Sequence, residues 1–487
     1  MNTKIKKMID TAINHHKKGE LNEAQILYQK VLKKEPSNFD AIQLLAIVYS
    51  QNKEYKEAIN LYKFAIKINP SFPKTYYNIG KTFFELDQFE DALLNYNLAI
   101  KYNPNYFEAY NNRGLVLEKF KYYDEALASY DFAIKLKSNY SEAFNNRSLA
   151  LKQLNRLEES LKSLNTAIQL NPNYIDAKMN KSLLKLLIGE YEEGWQLFES
   201  RRHKADIKKN YPSYSQPLWL SNESLEGKTI LIHSEQGLGD SLQFCRYLLL
   251  LEKLNPKKII FEIEKSLISI MQQLNNKLVI IEKSMPLPPF DYYCPLMSLP
   301  LAFKTKLETI PANIPYLKVD NVKNKHWQEQ LGKKTKPRIG LVWSGSTKHT
   351  NDHNRSLKLQ QASSLLKLPF EFHSLQKDIR DGDKQTLKAY KNIDQHHKDI
   401  DDFSDTAALV NQMDLIISVD TSVAHLAGAL GKEVWILLPF IPDYRWLLDR
   451  DDSPWYPTAK LFRQSQIGDW NSVIQQLISE LSKLFSK

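Results

Sequence analysis

Over the first two hundred residues, apolar positions recur at helical spacing and in pairs. Tyr76, Ile79 and Phe83 form one run, and Phe89, Ala92, Leu93 and Tyr96 form the next, with a short polar turn between them. The pair repeats with a period of 34 residues: Pro36, Pro70, Pro104 and Pro172 stand one or two periods apart, and Ser138 occupies the missing slot. Ala58, Ala92 and Ala126 make one column, and Ala65, Ala99, Ala133 and Ala167 a second. Tyr62, Tyr96 and Tyr130 hold the partner positions. Small residues let two helices approach closely, large ones fill the space between, and proline starts a new turn after each pair. A single hairpin cannot bury its own face, so the units must stack. The pattern predicts an all-α solenoid from about Ile5 to about His203, whose last unit, around Tyr191–Trp195, degenerates as a cap does.

These columns resemble the tetratricopeptide repeat. The resemblance implies a curved array with a concave groove lined by the first helix of each unit. Asn78, Asn112, Asn146 and Asn180 recur at one position on that helix, which faces the groove in such repeats. Each amide offers a donor and an acceptor to the backbone of an extended peptide, so the ladder is a candidate site for a protein or peptide partner. Recent duplication with a solvated polar face is the plainer explanation of the same column.

After Arg202 the pattern changes. Tyr211–Pro217 carries two prolines in seven residues and reads as a connector. Beyond it, β-branched runs alternate with amphipathic helices. Strands are predicted at Thr229–His233, Lys258–Ile263 and Leu278–Ile281, with another after Pro286–Pro289, and a helix at Ser241–Leu254. A second block begins at Arg338–Trp343 and continues through Glu371–Leu375, Leu415–Val419 and Glu433–Leu438. This alternation implies parallel sheets covered on both faces. The expected layout is a multidomain chain: an all-α solenoid (1–205), a linker (206–226), and an α/β unit of two Rossmann-like domains (227–325 and 335–487, the latter with a C-terminal helix).

Composition narrows the class. With 487 residues, 25% charged and 43% hydrophobic, the chain is a multidomain globular protein and not a disordered one. A net charge of +10 over that length is too thin to make the clustered basic face of a nucleic-acid binder. Two cysteines, Cys245 and Cys294, exclude a disulfide scaffold and a cysteine-rich zinc module. The segment Met1–Glu20 lacks the apolar core of a secretory signal, and no uncharged apolar stretch approaches membrane-spanning length, so the default expectation is a cytoplasmic protein.

Ligands bind doubly wound domains beyond the carboxyl ends of the strands, and three unusual turns fall there. In His233–Asp240, Gly237 and Gly239 let backbone approach a ligand, next to a helix N-terminus with free N–H groups. A complete GxGxxG is absent, which disfavours a dinucleotide oxidoreductase. Asp240 is either a general base at the cleft mouth or a partner of the helix dipole. Ser344, Gly345 and Ser346, with Arg355 following, form a candidate phosphate clamp. In the third turn, Thr421 and Ser422 either cap a helix or bind phosphate at its N-terminus, with His425 one turn along. The aromatic, proline and charged residues of Pro439–Trp446 and Arg450–Tyr456 suggest a binding rim. His349 and His353 have metal-ligand spacing but sit in a loop, and Asp381-Gly-Asp383 reads as solvated surface, so no metal is expected.

Gly-Leu-Gly-Asp240 and Asp420-Thr-Ser-Val-Ala-His425-Leu-Ala-Gly-Ala-Leu-Gly431 resemble the signature loops of the family 9 glycosyltransferases, which include the lipopolysaccharide heptosyltransferases. The whole arrangement looks like bacterial proteins that fuse tetratricopeptide repeats to such a domain, an order shared with the O-linked N-acetylglucosamine transferases. The resemblance implies a GT-B fold with acceptor on the first domain and nucleotide-sugar donor on the second. It also implies inversion at the anomeric carbon, with no cofactor beyond the nucleotide-sugar co-substrate. Asp240 matches the family's proposed base, and Asp420, Thr421, Ser422 and His425 match its donor loop. Ser344, Gly345, Ser346 and Arg355 lie where family members contact donor phosphates. The Pro439–Trp446 segment departs from the heptosyltransferase version, which leaves sugar and acceptor open. The rival expectation is a noncatalytic repeat scaffold carrying a ligand-binding α/β unit.

Overall fold

The computed structural model describes residues 3–204, 214–275 and 278–485. Residues 206–213 of the expected linker, with Tyr211, Pro212 and Ser213 of the connector, lie outside the described residues. The chain forms two compact units, Met1–Asn180 and Lys181–Lys487.

The first unit is built of antiparallel helix pairs: α1 (Thr3–Lys17) with α2 (Leu21–Lys34), α3 (Phe39–Gln51) with α4 (Tyr55–Ile68), and α5 (Pro73–Glu85) with α6 (Phe89–Tyr102). Then come α7 (Phe107–Lys119) with α8 (Tyr123–Leu136), α9 (Ser141–Gln153) with α10 (Leu157–Leu170), and the start of α11 (Ile175–Leu187). The alanine columns are fully buried and Tyr62, Tyr96 and Tyr130 nearly so, which places small against large at the centre of each hairpin. First helices touch first helices across repeats (α3 with α5, α5 with α7, α7 with α9), so they form the inner row of the array.

The second unit begins before the α/β region, with the end of α11 and with α12 (Tyr191–Phe198). The reason is apolar burial. Tyr191, Trp195 and Phe198 are each 2% exposed, and Trp195 packs edge-on to Phe244 (6.1 Å) and Tyr444 (5.8 Å). Trp455 donates its indole N–H to the Tyr191 hydroxyl at 3.2 Å. The fully buried Arg201 guanidinium bonds both Glu235 oxygens (2.8 and 3.1 Å), Glu199 and Ser298.

Two parallel sheets follow. The first holds β1 (Thr229–His233), β2 (Lys258–Ile263), β3 (Val279–Glu282) and β4 (Tyr292–Pro295) in the order β3-β2-β1-β4. The second holds β5 (Arg338–Val342), β6 (Glu371–Ser374), β7 (Ile393–Gln395), β8 (Leu415–Val419), β9 (Val434–Leu438) and β10 (Ala459–Arg463) in the order β10-β9-β8-β5-β6-β7. Every strand pair is parallel. The strand order reverses between β1 and β4 and between β5 and β8, and these reversals open a crevice at the strands' carboxyl ends. β7 and β10 are additions to the predicted strands: β7 is three residues with one buried side chain, too short for a periodic signal. The helix predicted at Ser241–Leu254 begins earlier and is two short helices, Leu238–Phe244 and Arg246–Glu252. Asp240 therefore lies inside the first helical turn and not in the loop before it.

Among the described residues no helix is long and apolar enough to cross a membrane. Among them, too, no group of three or more His, Cys, Asp or Glu side chains could hold a metal ion.

Candidate functional site

The reversal between β5 and β8 puts two of the three sequence-selected turns side by side. Arg355 donates Nη1 to the Asp420 carbonyl at 2.9 Å, joining the turn after β5 to the turn after β8. Its guanidinium also lies over Gly345, where a Cβ would fall 2.5 Å from Nη2, so a side chain there would displace the arginine. Ser344 is buried with an unpartnered Oγ, while its backbone is held on both sides by Gln376. Ser346 is exposed. Thr421 stands at the N-cap of the Ser422–Ala429 helix, yet its hydroxyl pairs with Ser418 at 3.2 Å and caps nothing. The first turn of that helix keeps its N–H groups free of a side-chain cap, as an anion site requires.

The third turn comes in from the first sheet. A Cβ on Gly239 would meet the His425 ring at 2.8 Å and Ser422 Cα at 3.5 Å, so glycine is what allows the two helix starts to touch. Asp240 closes a capping box by accepting the Gly237 N–H at 2.8 Å through Oδ2. Its Oδ1 takes an ion pair from Arg445 Nη2. Arg445 also reaches Gln243 through Nε and Asp443 through Nη1, the latter at 2.7 Å. The Pro439–Trp446 segment is thus the clasp that reaches from the second sheet to the first. Arg445 appears in the sequence as one residue of a rim; its partner lies 205 positions away, and no local pattern announces the pairing.

Electrostatics sort these groups. Burial pushes the Asp240 carboxyl up, against the pull of Arg445. Burial and the neighbouring Asp443 carboxylate push Asp420 up to about 6, opposed by Arg445 and Arg355. Burial, reinforced by Arg445, Arg246 and Arg355, holds His425 well below the usual histidine range. His425 is therefore neutral near pH 7; its Nδ1 pairs with the Tyr456 hydroxyl at 3.0 Å and its ring stacks on Trp446 at 5.5 Å. Positive charge at the crevice rests on Arg355 and Arg445, and His425 is a packing element there. The Asp381-Gly-Asp383 run is only partly the solvated surface expected: Asp381 is exposed, but Asp383 is buried and accepts from Trp343 Nε1 and the Leu359 N–H, both at 2.9 Å.

In the first unit, the asparagine column joins repeats. Asn112 Nδ2 donates to the Tyr77 hydroxyl at 3.2 Å, Asn146 to Asn111 Oδ1 at 3.0 Å, and Asn180 to Asn145 Oδ1 at 2.8 Å. Each donor reaches the preceding first helix, so these three amides are spent within the array. Asn78 Nδ2 is buried without a partner. Asn111 and Asn145, the acceptors, stand one residue before the 34-residue column and so fall outside it.

The chain matches tetratricopeptide-repeat families, one described as TPR repeat over residues 47–87 and 80–119, and others described as Tetratricopeptide repeat over 15–63, 107–140 and 141–174. Residues 15–174 are therefore tetratricopeptide repeats, a module that commonly binds proteins or peptides. The chain is 25% identical over 333 residues to "Protein FlbA" of Caulobacter vibrioides, a match covering 61% of this chain and 53% of the relative. It thus spans about half the length of that curated protein. Among solved structures, MamA protein is 25% identical, covering 36% of this chain and 94% of that one, at a TM-score of 0.32. YrrB, described as a TPR protein with an unusual peptide-binding site, is 26% identical, covering 36% and 91%, also at 0.32. Pseudomonas aeruginosa pilF is 19% identical, covering 43% and 93%, at 0.37.

Proposed function

We propose that the chain is a glycosyltransferase that moves a sugar from a nucleotide-sugar donor to a protein recruited by the repeats. The observation that carries this reading is the meeting of the Gly237–Asp240 turn with the Asp420–His425 turn at the carboxyl ends of two parallel sheets. In this reading the two sheets are the acceptor and donor domains of a GT-B unit, and the donor diphosphate lies at the Ser422 helix N-terminus, beside Arg355. Asp240 takes the proton of the acceptor hydroxyl. As it stands, both Asp240 oxygens are engaged, by Gly237 and by Arg445. An incoming diphosphate competes for Arg445, and the release of Asp240 couples donor binding to the freeing of the base.

The same ion pair favours a second reading. If Asp240 and Arg445 only clasp the two sheets, the α/β unit is a noncatalytic ligand binder and the repeats are a scaffold. Intact mass spectrometry of co-expressed proteins, incubated with the full chain and a panel of nucleotide sugars, separates the two. A mass increase of one sugar that disappears in Asp240→Asn supports transfer with Asp240 as base. Full transfer by Asp240→Asn overturns the base assignment, and no transfer from any donor favours the scaffold.

A further inference from the structure

The inner row of the repeats carries a second pair of columns. Phe72, Tyr106, Tyr140 and Tyr174 stand immediately before α5, α7, α9 and α11, and Lys74, Glu108, Glu142 and Asp176 follow in the first turns. An acid in the first turn is ordinary service to the helix dipole, but the dipole does not ask for a tyrosine before it. From α7 onward the two columns agree, an aromatic ring and a carboxylate on every first helix; on α5 the acid is replaced by lysine.

These groups converge. The Tyr77 ring lies 4.9 Å from that of Tyr106, and the Tyr140 hydroxyl donates to Glu142 at 3.4 Å. Asn111 Nδ2 reaches Glu142 from the neighbouring helix at 3.3 Å, and Asn112 holds the Tyr77 hydroxyl at 3.2 Å. Burial comes first in pushing the phenols of Tyr77, Tyr106 and Tyr140 up; the Glu108 charge adds to it at all three rings, and the Glu142 charge at Tyr77 and Tyr140. Among the described residues neither Glu108 nor Glu142 has an ion-pair partner, and Glu142 is exposed. The rings accept cations: the chain's own Lys137 sits 5.2 Å from the Tyr140 centroid and Lys81 5.8 Å from that of Tyr77.

We infer that the Tyr77, Tyr106 and Tyr140 rings, with Glu108 and Glu142, form a seat for a lysine or arginine side chain of an extended protein segment bound along the inner row. Tyrosine faces and two carboxylates without an ion-pair partner complement a cation and repel an acid, so the surface selects by charge. The inference rests on the proposed recruitment of a protein by the repeats and adds to it the chemistry of the recruited segment.

The probe is a set of fluorescein-labelled degenerate short peptides with a fixed central lysine, glutamate or leucine, titrated against the full chain by fluorescence anisotropy. The lysine pool is expected to bind about tenfold more tightly than the glutamate pool. Glu108→Gln with Glu142→Gln, confirmed folded by circular dichroism, is expected to bring that ratio close to one. Equal binding of the three pools by the unmodified chain overturns the basic-segment inference while leaving peptide recruitment standing. Binding of no pool overturns both. A lysine preference that survives the double substitution overturns the assignment to these two carboxylates.

Discussion

Arg445 is the residue on which the crevice turns. Buried, it holds Asp240, Asp443 and Gln243 together, and the cost of burying its charge is offset by those partners, by the nearby Asp420 carboxylate and by the Tyr444 ring. Asp240→Asn removes one of the two carboxylates and is expected to lower unfolding stability by about 1–3 kcal/mol in urea titrations. His373 and His396 give a residue-scale prediction of another kind. Their rings stack at 5.3 Å, and Nδ1 of one meets Nε2 of the other at 3.1 Å. Burial, then the neighbouring His396, hold His373 down at about 4, with Asp394 and Glu371 pulling the other way and Arg338 adding to the depression. A histidine depressed in the folded state binds its proton preferentially when unfolded. Its contribution is complete above pH 6.5 and is lost as pH falls towards 4. The stability advantage of the unmodified chain over His373→Phe should shrink by about 2 kcal/mol between pH 7 and pH 5, measured by chemical denaturation at each pH. Comparing the two proteins cancels the opposite slope from Asp420, whose raised carboxyl loses stability as pH rises through the same range.

At the scale of elements, the asparagine column is a set of staples. Asn146→Ala removes the bond to Asn111 and leaves a buried acceptor with one fewer donor, so a loss of about 1 kcal/mol is expected in thermal unfolding. The column's spacing was visible in the sequence because 34 residues return the chain to the same helix face. Its use was not, since a donor and an acceptor 35 residues apart look alike whether they bond each other or a ligand. The strands show the same division. Leu415–Val419 is buried along its whole length and reads directly as a parallel strand, whereas β7 is legible only once β6 exists to pair with it. The turn glycines were legible too, and Arg355 follows Gly345 closely in the chain, but the His425 ring that lies against Gly239 comes from a distant part of it.

At the scale of the molecule, repeat periodicity ends later in the sequence than the first compact unit does in space. The helical signature runs through α12, but Tyr191, Trp195 and Phe198 are buried against Phe244, Tyr444 and Trp455 of the second unit. Periodicity records ancestry and local helix formation, while burial decides membership. A chain beginning at Lys181 is expected to unfold cooperatively, whereas one beginning at Lys204 loses three large apolar anchors, each worth about 3–5 kcal/mol, and should show no cooperative transition by circular dichroism. The central claim is that the crevice between β5 and β8 takes the diphosphate of a sugar donor. Isothermal titration calorimetry of the full chain with a panel of nucleoside diphosphates tests it most directly. One nucleotide should bind with about micromolar affinity, weakened at least about tenfold in Arg355→Ala; absence of binding by every diphosphate, or binding indifferent to Arg355, contradicts the claim.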